Sequence, residues 1–223
     1  MAGGAFFIAR HGETVFNAAG RIQGDREHTP LTRAGFAQAE AMGLALRARL
    51  GPKPVLALWA SPTGRALQTL AVIAEHLELD WHQARTDERL CEIGTAEWTG
   101  RYYADIVAEG GKVYDKATGL FARYPPGGET YGAVAARLRS WLDDRGAGDG
   151  DRLILMHGMS ARVLRALLTG AGPHPACGAP VAPDVPQGKV VEVRNERERV
   201  LDQGTGSGSA WKKGGFLPKW APS

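Results

Sequence analysis

Ala5-Phe6-Phe7-Ile8-Ala9-Arg10-His11-Gly12-Glu13-Thr14 decides the fold class. Five apolar residues run on without polar alternation, the pattern of a strand buried on both faces of a parallel sheet. A polar, glycine-containing turn follows at once. Two further runs have the same character, Val55 to Ala60 and Arg152 to Met156, and each also ends in a polar turn.

Helical segments separate these strands. Thr32 is an N-cap for a helix from Arg33 to Leu50, rich in good helix formers and stopped by Pro52 and Pro54. Arg65 to about Leu77 is a second helix, Thr130 to about Asp144 a third, and Ser160 to Leu168 a fourth. A short extended piece is expected near Trp81 to Arg85. Val190 to Val193 and Val200 to Leu201 flank Asn195-Glu196 as a closing antiparallel hairpin. Strand and helix therefore alternate, which predicts an α/β fold: three layers, with a mostly parallel central sheet flanked by helices. Residues 93–125 break the rhythm with glycines and aromatics, and are expected to form a small, partly helical excursion over the site. Residues 1–203 are read as one domain. Residues 204–223 are read as a Gly/Ser-rich basic tail.

Composition narrows the classes. The chain has 223 residues, 43% hydrophobic and 23% charged, enough for one substantial core and unlike a disordered chain. No apolar run nears the roughly 20 residues of a membrane span, and Met1 to Arg10 lacks the basic start of a signal peptide. Cys91 and Cys177 cannot build a disulfide scaffold and read as reduced thiols of a cytoplasmic protein. Lys and Arg number 27 against 24 Asp and Glu. Three of those lysines, Lys212, Lys213 and Lys219, stand in the acid-free tail, so the remaining chain balances at 24 against 24. The excess charge is a tail effect, and a nucleic-acid surface is not indicated.

The strand ends carry the chemistry. The first strand runs into Arg10-His11-Gly12, the third into His157-Gly158, and the second into Ser61-Pro62 with Arg65 just beyond. Open α/β sheets bind ligands at the carboxyl ends of their strands, so two histidines and two arginines converge on one crevice. Arginine offers forked donors that match phosphate oxygens. Neighbouring positive charge keeps a histidine neutral and its lone pair available for attack. Glycine after each histidine lets backbone N–H groups approach an anion. Such a pocket suits phosphoryl transfer through a phosphohistidine on His11. The leaving alkoxide then needs a carboxylic acid.

The motifs resemble the histidine phosphatase superfamily, which includes cofactor-dependent phosphoglycerate mutase and many phosphatases. They are Arg10-His11-Gly12-Glu13-Thr14, Asn17, Gly20-Arg21-Ile22-Gln23-Gly24, Pro30-Leu31-Thr32 with Gly35 and Gln38-Ala39, and Ser61-Pro62 with Arg65-Ala66 and Gln68-Thr69. Leu90-Cys91-Glu92 with Trp98 and Gly100, Pro126-Gly127-Gly128-Glu129-Thr130, and His157-Gly158 complete the set, in family order over about residues 5–201. The resemblance implies that His11 is the nucleophile and that Arg10, Arg65 and His157 hold the phosphoryl group. It makes Glu92 the general acid and base, and Asn17, Gln23, Gly24 and Gly158 phosphate- or substrate-binding residues. It implies no metal and no cofactor. Two departures, Thr99 where glutamate is frequent and Ala96 where glycine is frequent, touch the rim, as does one extra residue between Gly24 and Pro30. They bear on substrate choice more than on chemistry.

Other readings stay open at this stage. Glu88, Glu97 and Glu129 compete with Glu92 for the acid role. Glu13 either orients His11 or Arg10, or has a helix-start or surface role. Lys112, Lys116 and Arg123 read as solvated charges, with contact to an acidic substrate tail as the alternative. Gly158-Met159-Ser160-Ala161-Arg162 imitates a nucleophile elbow, but its last position should be small, and only His174 follows as a triad histidine. The expected function is a metal-independent phosphomonoester hydrolase acting on a phosphorylated small molecule, with no nucleic-acid or membrane partner. A compact excursion without an adjacent arginine pair favours this over a mutase. A non-catalytic phosphate-binding protein is the remaining alternative, and nothing in the chain fixes an oligomeric state.

Overall fold

The computed structural model describes residues 3–146 and 150–201. The tail reading for residues 204–223 lies outside the described residues. Six strands form one sheet: β1 Phe6–Arg10, β2 Ala57–Ala60, β3 Arg85–Thr86, β4 Arg152–Met156, β5 Val190–Arg194 and β6 Arg197–Leu201, in the order β3-β2-β4-β1-β5-β6. The neighbours β3, β2, β4 and β1 are parallel, and β5 enters antiparallel beside β1 and turns back into β6. This is the three-layer, mostly parallel α/β architecture expected from the sequence.

Side-chain alternation assigns each face of the sheet its helices. Phe7, Ala9, Leu58, Ala60, Leu153 and Leu155 point to one side, where α2 (Arg33–Leu50) and α3 (Gly64–Leu77) cover them with Met42, Leu46, Leu70 and Ile73. Ile8, Trp59, Ile154 and Met156 point to the other, against α5 (Tyr131–Trp141) and α6 (Gly158–Leu168). Every residue of β4 is buried, because it is central and covered on both faces.

Trp141 anchors the second layer. It is fully buried and meets the Trp59 ring edge-on, with centroids 5.5 Å apart at 88°. Trp141→Ala removes that volume from a packed interior and is expected to cost about 3–5 kcal/mol. A urea titration reads this as a lower midpoint with an unchanged slope.

The differences from the sequence reading are local. The piece near Trp81 to Arg85 is a 3₁₀ turn, Trp81–Gln83, followed by the two-residue strand β3. The third predicted helix ends as an α-helix at Trp141 and continues as a wider π turn, Leu142–Gly146. The four-residue α1 (Val15–Ala18) and the eight-residue α4 (Tyr103–Gly110) have patterns too short for periodicity to reveal. The excursion adds no strand to the sheet and includes α4. Within it Lys112 and Lys116 are exposed, as expected. Arg123 is a correction: it is half-buried, donates to the Ile106 carbonyl at 2.9 Å and lies 5.0 Å from the Trp98 ring. Stacking and a backbone acceptor outweigh its solvation. No described helix is long and apolar enough to cross a membrane.

Candidate active site

The carboxyl ends of β1, β2 and β4 open into one cavity. Arg10, His11, Asn17, Gln23, Gly24, Arg65, Glu92 and His157 all line it. Eight of the nine residues expected at the site therefore meet around one space. The ninth, Gly158, lies immediately behind: a Cβ there would be 3.5 Å from the Arg10 guanidinium and from Glu92 Oε2.

The loop after β1 is fixed from several directions. Gly12 N–H donates to Thr69 Oγ1 at 3.0 Å, Glu13 N–H to Gln38 Oε1 at 2.7 Å, and Gln187 Nε2 to the His11 carbonyl at 2.8 Å. A Cβ on Gly12 would fall 2.3 Å from Gly35 O, so only glycine lets the loop abut α2 here. Glu13 accepts from Thr32 Oγ1 at 2.7 Å, beside the N-cap of α2, which resolves its role as helix-start structure.

His11 and His157 are buried and face each other edge-on, with ring centroids 5.2 Å apart. Nδ1 of His11 is 2.7 Å from Gly12 O. A carbonyl can only accept, so Nδ1 carries the hydrogen and the lone pair resides on Nε2. Burial, then Arg65, then Arg10 hold His11 well below the usual histidine range. Burial and the same arginines, with His11 itself, do the same to His157. Both rings are neutral at neutral pH.

Two neutral buried histidines give stability a definite pH dependence. The unfolded chain takes up protons below its ordinary value of 6.5 while the native rings resist them. Stability is therefore intact above that value and is lost as pH falls below it, by up to about 1.4 kcal/mol per pH unit for each ring. Melting temperature against pH should fall below that point, and His157→Gln should flatten the slope.

Arg65 is wholly buried at the start of α3 and is positioned by two main-chain carbonyls and a hydroxyl. It donates to Gly24 O at 2.8 Å, to Thr29 Oγ1 at 3.1 Å and to Arg26 O. Burial brings its pKa down to about 10, so it stays charged at neutral pH. Among the described residues its Nε has no partner, and neither do Nε and Nη1 of Arg10 nor either nitrogen of His157. Buried donors without partners are costly. Their convergence beside His11 suits an oxyanion.

Asn17 and Gln23 add donors of the same sense. Thr14 N–H occupies Asn17 Oδ1, and the Thr14 and Thr29 hydroxyls occupy Gln23 Oε1, at 2.7–3.1 Å. With each amide oxygen taken, the –NH₂ groups remain for a ligand.

Glu92 is the one candidate glutamate that lines this cavity. Its Oε1 accepts from the N–H groups of Ile93, Met159 and Ser160 at 3.0–3.1 Å, so the carboxylate caps α6. Oε2 shares only the Met159 N–H, at 3.1 Å. Glu129 is held elsewhere by Arg137, which donates to both its oxygens at 2.7 and 3.0 Å, while Gly94 N–H donates to Oε2. Arg137 also donates to the carbonyls of Arg89 and Glu92. The pair braces the segment that carries Glu92. Glu88 and Glu97 are exposed and outside the cavity. Among the described residues no group of three or more His, Cys, Asp and Glu side chains is arranged to hold a metal ion.

Sequence reasoning set the aromatic excursion over the site but assigned no site role to the individual residues that line it there. Arg21, Tyr103, Tyr114, Phe121 and Met159 line the cavity too. Tyr103 and Tyr114 place their hydroxyls 3.3 Å apart, and Tyr114 stacks on Phe121 at 4.8 Å. The aromatic richness of the excursion was the available signal. Which rings turn inward depends on its docking onto residues 20–22, which no local pattern records.

Comparisons with known proteins give the family and the fold. The histidine phosphatase superfamily (branch 1) matches over residues 6–200. Yersinia enterocolitica GpmB, which carries a phosphoglycerate mutase name, is 31% identical over 172 residues, covering 75% of this chain and 76% of that protein. The solved structure of Mycobacterial hydrolase 1 aligns with a TM-score of 0.70 at 25% identity, covering 93% of this chain and all of that one. A mycobacterial glucosyl-3-phosphoglycerate phosphatase complexed with VO3 aligns with a TM-score of 0.67 at 27% identity, covering 91% and 99%.

Proposed function

Because the chain belongs to the histidine phosphatase superfamily, we propose that it hydrolyses phosphomonoesters through a phosphohistidine on His11. The observation that carries this reading is a neutral His11, its Nε2 lone pair available, beside the partnerless buried donors of Arg10, Arg65 and His157.

Two steps follow. Nε2 of His11 attacks phosphorus, the bond to the ester oxygen breaks, and Glu92 in its acid form delivers a proton to that oxygen from Oε2. Arg10, Arg65, His157 and the Asn17 and Gln23 amides receive the charge spread over the non-bridging oxygens. Water then attacks the phosphohistidine, Glu92 takes its proton, the P–N bond breaks, and the electron pair returns to Nε2 as phosphate leaves. The chemistry draws only on side chains, so it asks for no cofactor.

Support for hydrolysis over return of the phosphoryl group comes from the excursion. Its arginines are turned into structure: Arg101 pairs with Glu109, and Arg123 packs on Trp98. A mutase must hold its sugar acid through the second transfer, and the excursion places no arginine along the cavity wall. The unpaired thiols Cys91 and Cys177 support work in a reducing, cytoplasmic compartment. The test is phosphate release from a panel of esters with chelator present, with 3-phosphoglycerate and 2,3-bisphosphoglycerate included and 2-phosphoglycerate followed. Release without interconversion is expected. Interconversion without release makes the protein a mutase, and phosphate binding without either makes it a binding protein.

A further inference from the structure

Glu92 has to meet both the ester oxygen and the attacking water, yet it stands on a stretch with little structure of its own. Residues 91–95 belong to neither helix nor strand and lie between two 3₁₀ turns, Glu88–Leu90 and Ala96–Trp98. Leu90 and Ile93 sink into the core and set the depth of the stretch. Apolar burial is non-directional, so it does not aim a carboxylate.

The aim comes from α5. The Arg137 guanidinium donates to Arg89 O and, at 3.2 Å, to Glu92 O. Its Nε and Nη2 also form a fork on Glu129, at 2.7 and 3.0 Å. Glu129 reaches the far side of Glu92: its Oε2 accepts from Gly94 N–H at 3.1 Å, and its own N–H donates to Gly94 O at 2.8 Å. The main chain is thereby held before, at and after Glu92. The base of this clamp is firm, because Val134, Ala135 and Leu138 bury the other face of α5 in the core. Neither Arg137 nor Glu129 lines the cavity that contains His11; both line a separate cleft that Glu92 also borders. They touch the Glu92 stretch and not the space for substrate. Each also cancels the other's charge, so the stretch is fixed without an unpaired charge at its back.

We propose that Arg137, locked by Glu129, is a positioning residue that aims Glu92 at the leaving-group oxygen. The proposal rests on the phosphomonoesterase reading, in which Glu92 is the acid, and goes beyond it by naming what holds that acid in place.

A pair of esters separates aim from stability. Arg137→Gln should lower kcat/KM for an alkyl phosphate by about 10- to 100-fold, the loss that a misplacement of about 1 Å brings. 4-Nitrophenyl phosphate, whose leaving group departs without a proton, should keep nearly its wild-type kcat/KM. Inhibition by inorganic phosphate should be unchanged, because Arg10, Arg65 and His157 are untouched. Arg137→Lys, which keeps the charge but not the fork, should recover part of the alkyl rate. In a Glu92→Gln background Arg137→Gln should cost the alkyl ester nothing further. Equal losses on both esters, or additive losses in the double variant, overturn the positioning role and leave Arg137 a structural brace. If Arg137→Gln does not fold, Glu129→Gln carries the same ester test, since it breaks the fork and keeps the main-chain bond to Gly94.

Amide exchange reads the aim without turnover. The N–H groups of Met159 and Ser160 lie in the first turn of α6, where a helix offers no acceptor of its own, and both donate to Glu92. Their exchange with deuterium, followed by NMR, should quicken in Arg137→Gln while the amides of β4 stay protected. If no ester releases phosphate from the wild-type protein but these two amides respond, the hydrolase reading fails and the clamp stands. Unaltered exchange at both amides overturns the clamp.

Discussion

His11→Ala is expected to lower phosphate release by roughly 10⁴-fold or more, because removing the nucleophile of a covalent mechanism removes the route itself. The prediction follows from three features of one ring. Its Nδ1 hydrogen is fixed on Gly12 O, which leaves the lone pair on Nε2. Burial and the charges of Arg65 and Arg10 keep the ring neutral. The other neutral ring in the cavity has no tautomer so fixed: both His157 nitrogens are without partners among the described residues. The fold should survive, since β1 is held by its neighbours in the sheet and its loop by Gln38, Thr69 and Gln187. Circular dichroism and a melting curve check that part. Substantial residual turnover in a folded variant would mean that water attacks the ester directly.

Glu92→Gln should show a loss that depends on the leaving group. General acid catalysis is worth about 10²–10⁴-fold when the departing oxygen is basic, and little when it is stable as an anion. An alkyl phosphate should therefore lose about that much, and 4-nitrophenyl phosphate far less. Glutamine keeps an oxygen to accept from the N–H groups of Ile93, Met159 and Ser160, so the cap on α6 can persist. The substitution removes the transferable proton at small structural cost. Equal losses on both esters would show that Glu92 acts through position or charge and not as the acid.

Whether a residue can be read from the sequence depends on whether its role is local. The uninterrupted apolar runs at Phe7 and Leu153 announce strands covered on both faces, and both are buried in that way. The residues that end those strands, His11 and His157, have to meet because parallel strands share a carboxyl edge. Arg65 is placed by the first turn of α3. The choice among four glutamates is not local. Glu92 and Glu129 both lie in glycine-rich segments, and what separates them is Arg137, eight residues beyond Glu129 on α5, which claims one carboxylate and leaves the other to cap α6. Arg21 sits within a sequence motif that assigns it no role, since its exposure to the cavity depends on a backbone zipper with residues 100–103. Arg123 departs from expectation for the same reason: the Trp98 ring and the Ile106 carbonyl turn a solvated charge into a packed one.

The covalent intermediate is the central claim, and trapping it is the most direct test. The protein would be mixed with a good phosphate ester, quenched in alkali within a turnover, digested and mapped by mass spectrometry. The account predicts one acid-labile phosphoryl group on the peptide that carries His11, absent from the His11→Ala protein and lasting longer in Glu92→Gln. Rapid phosphate release with no phosphoryl group on His11 at any quench time, or with the group on His157 instead, would contradict it.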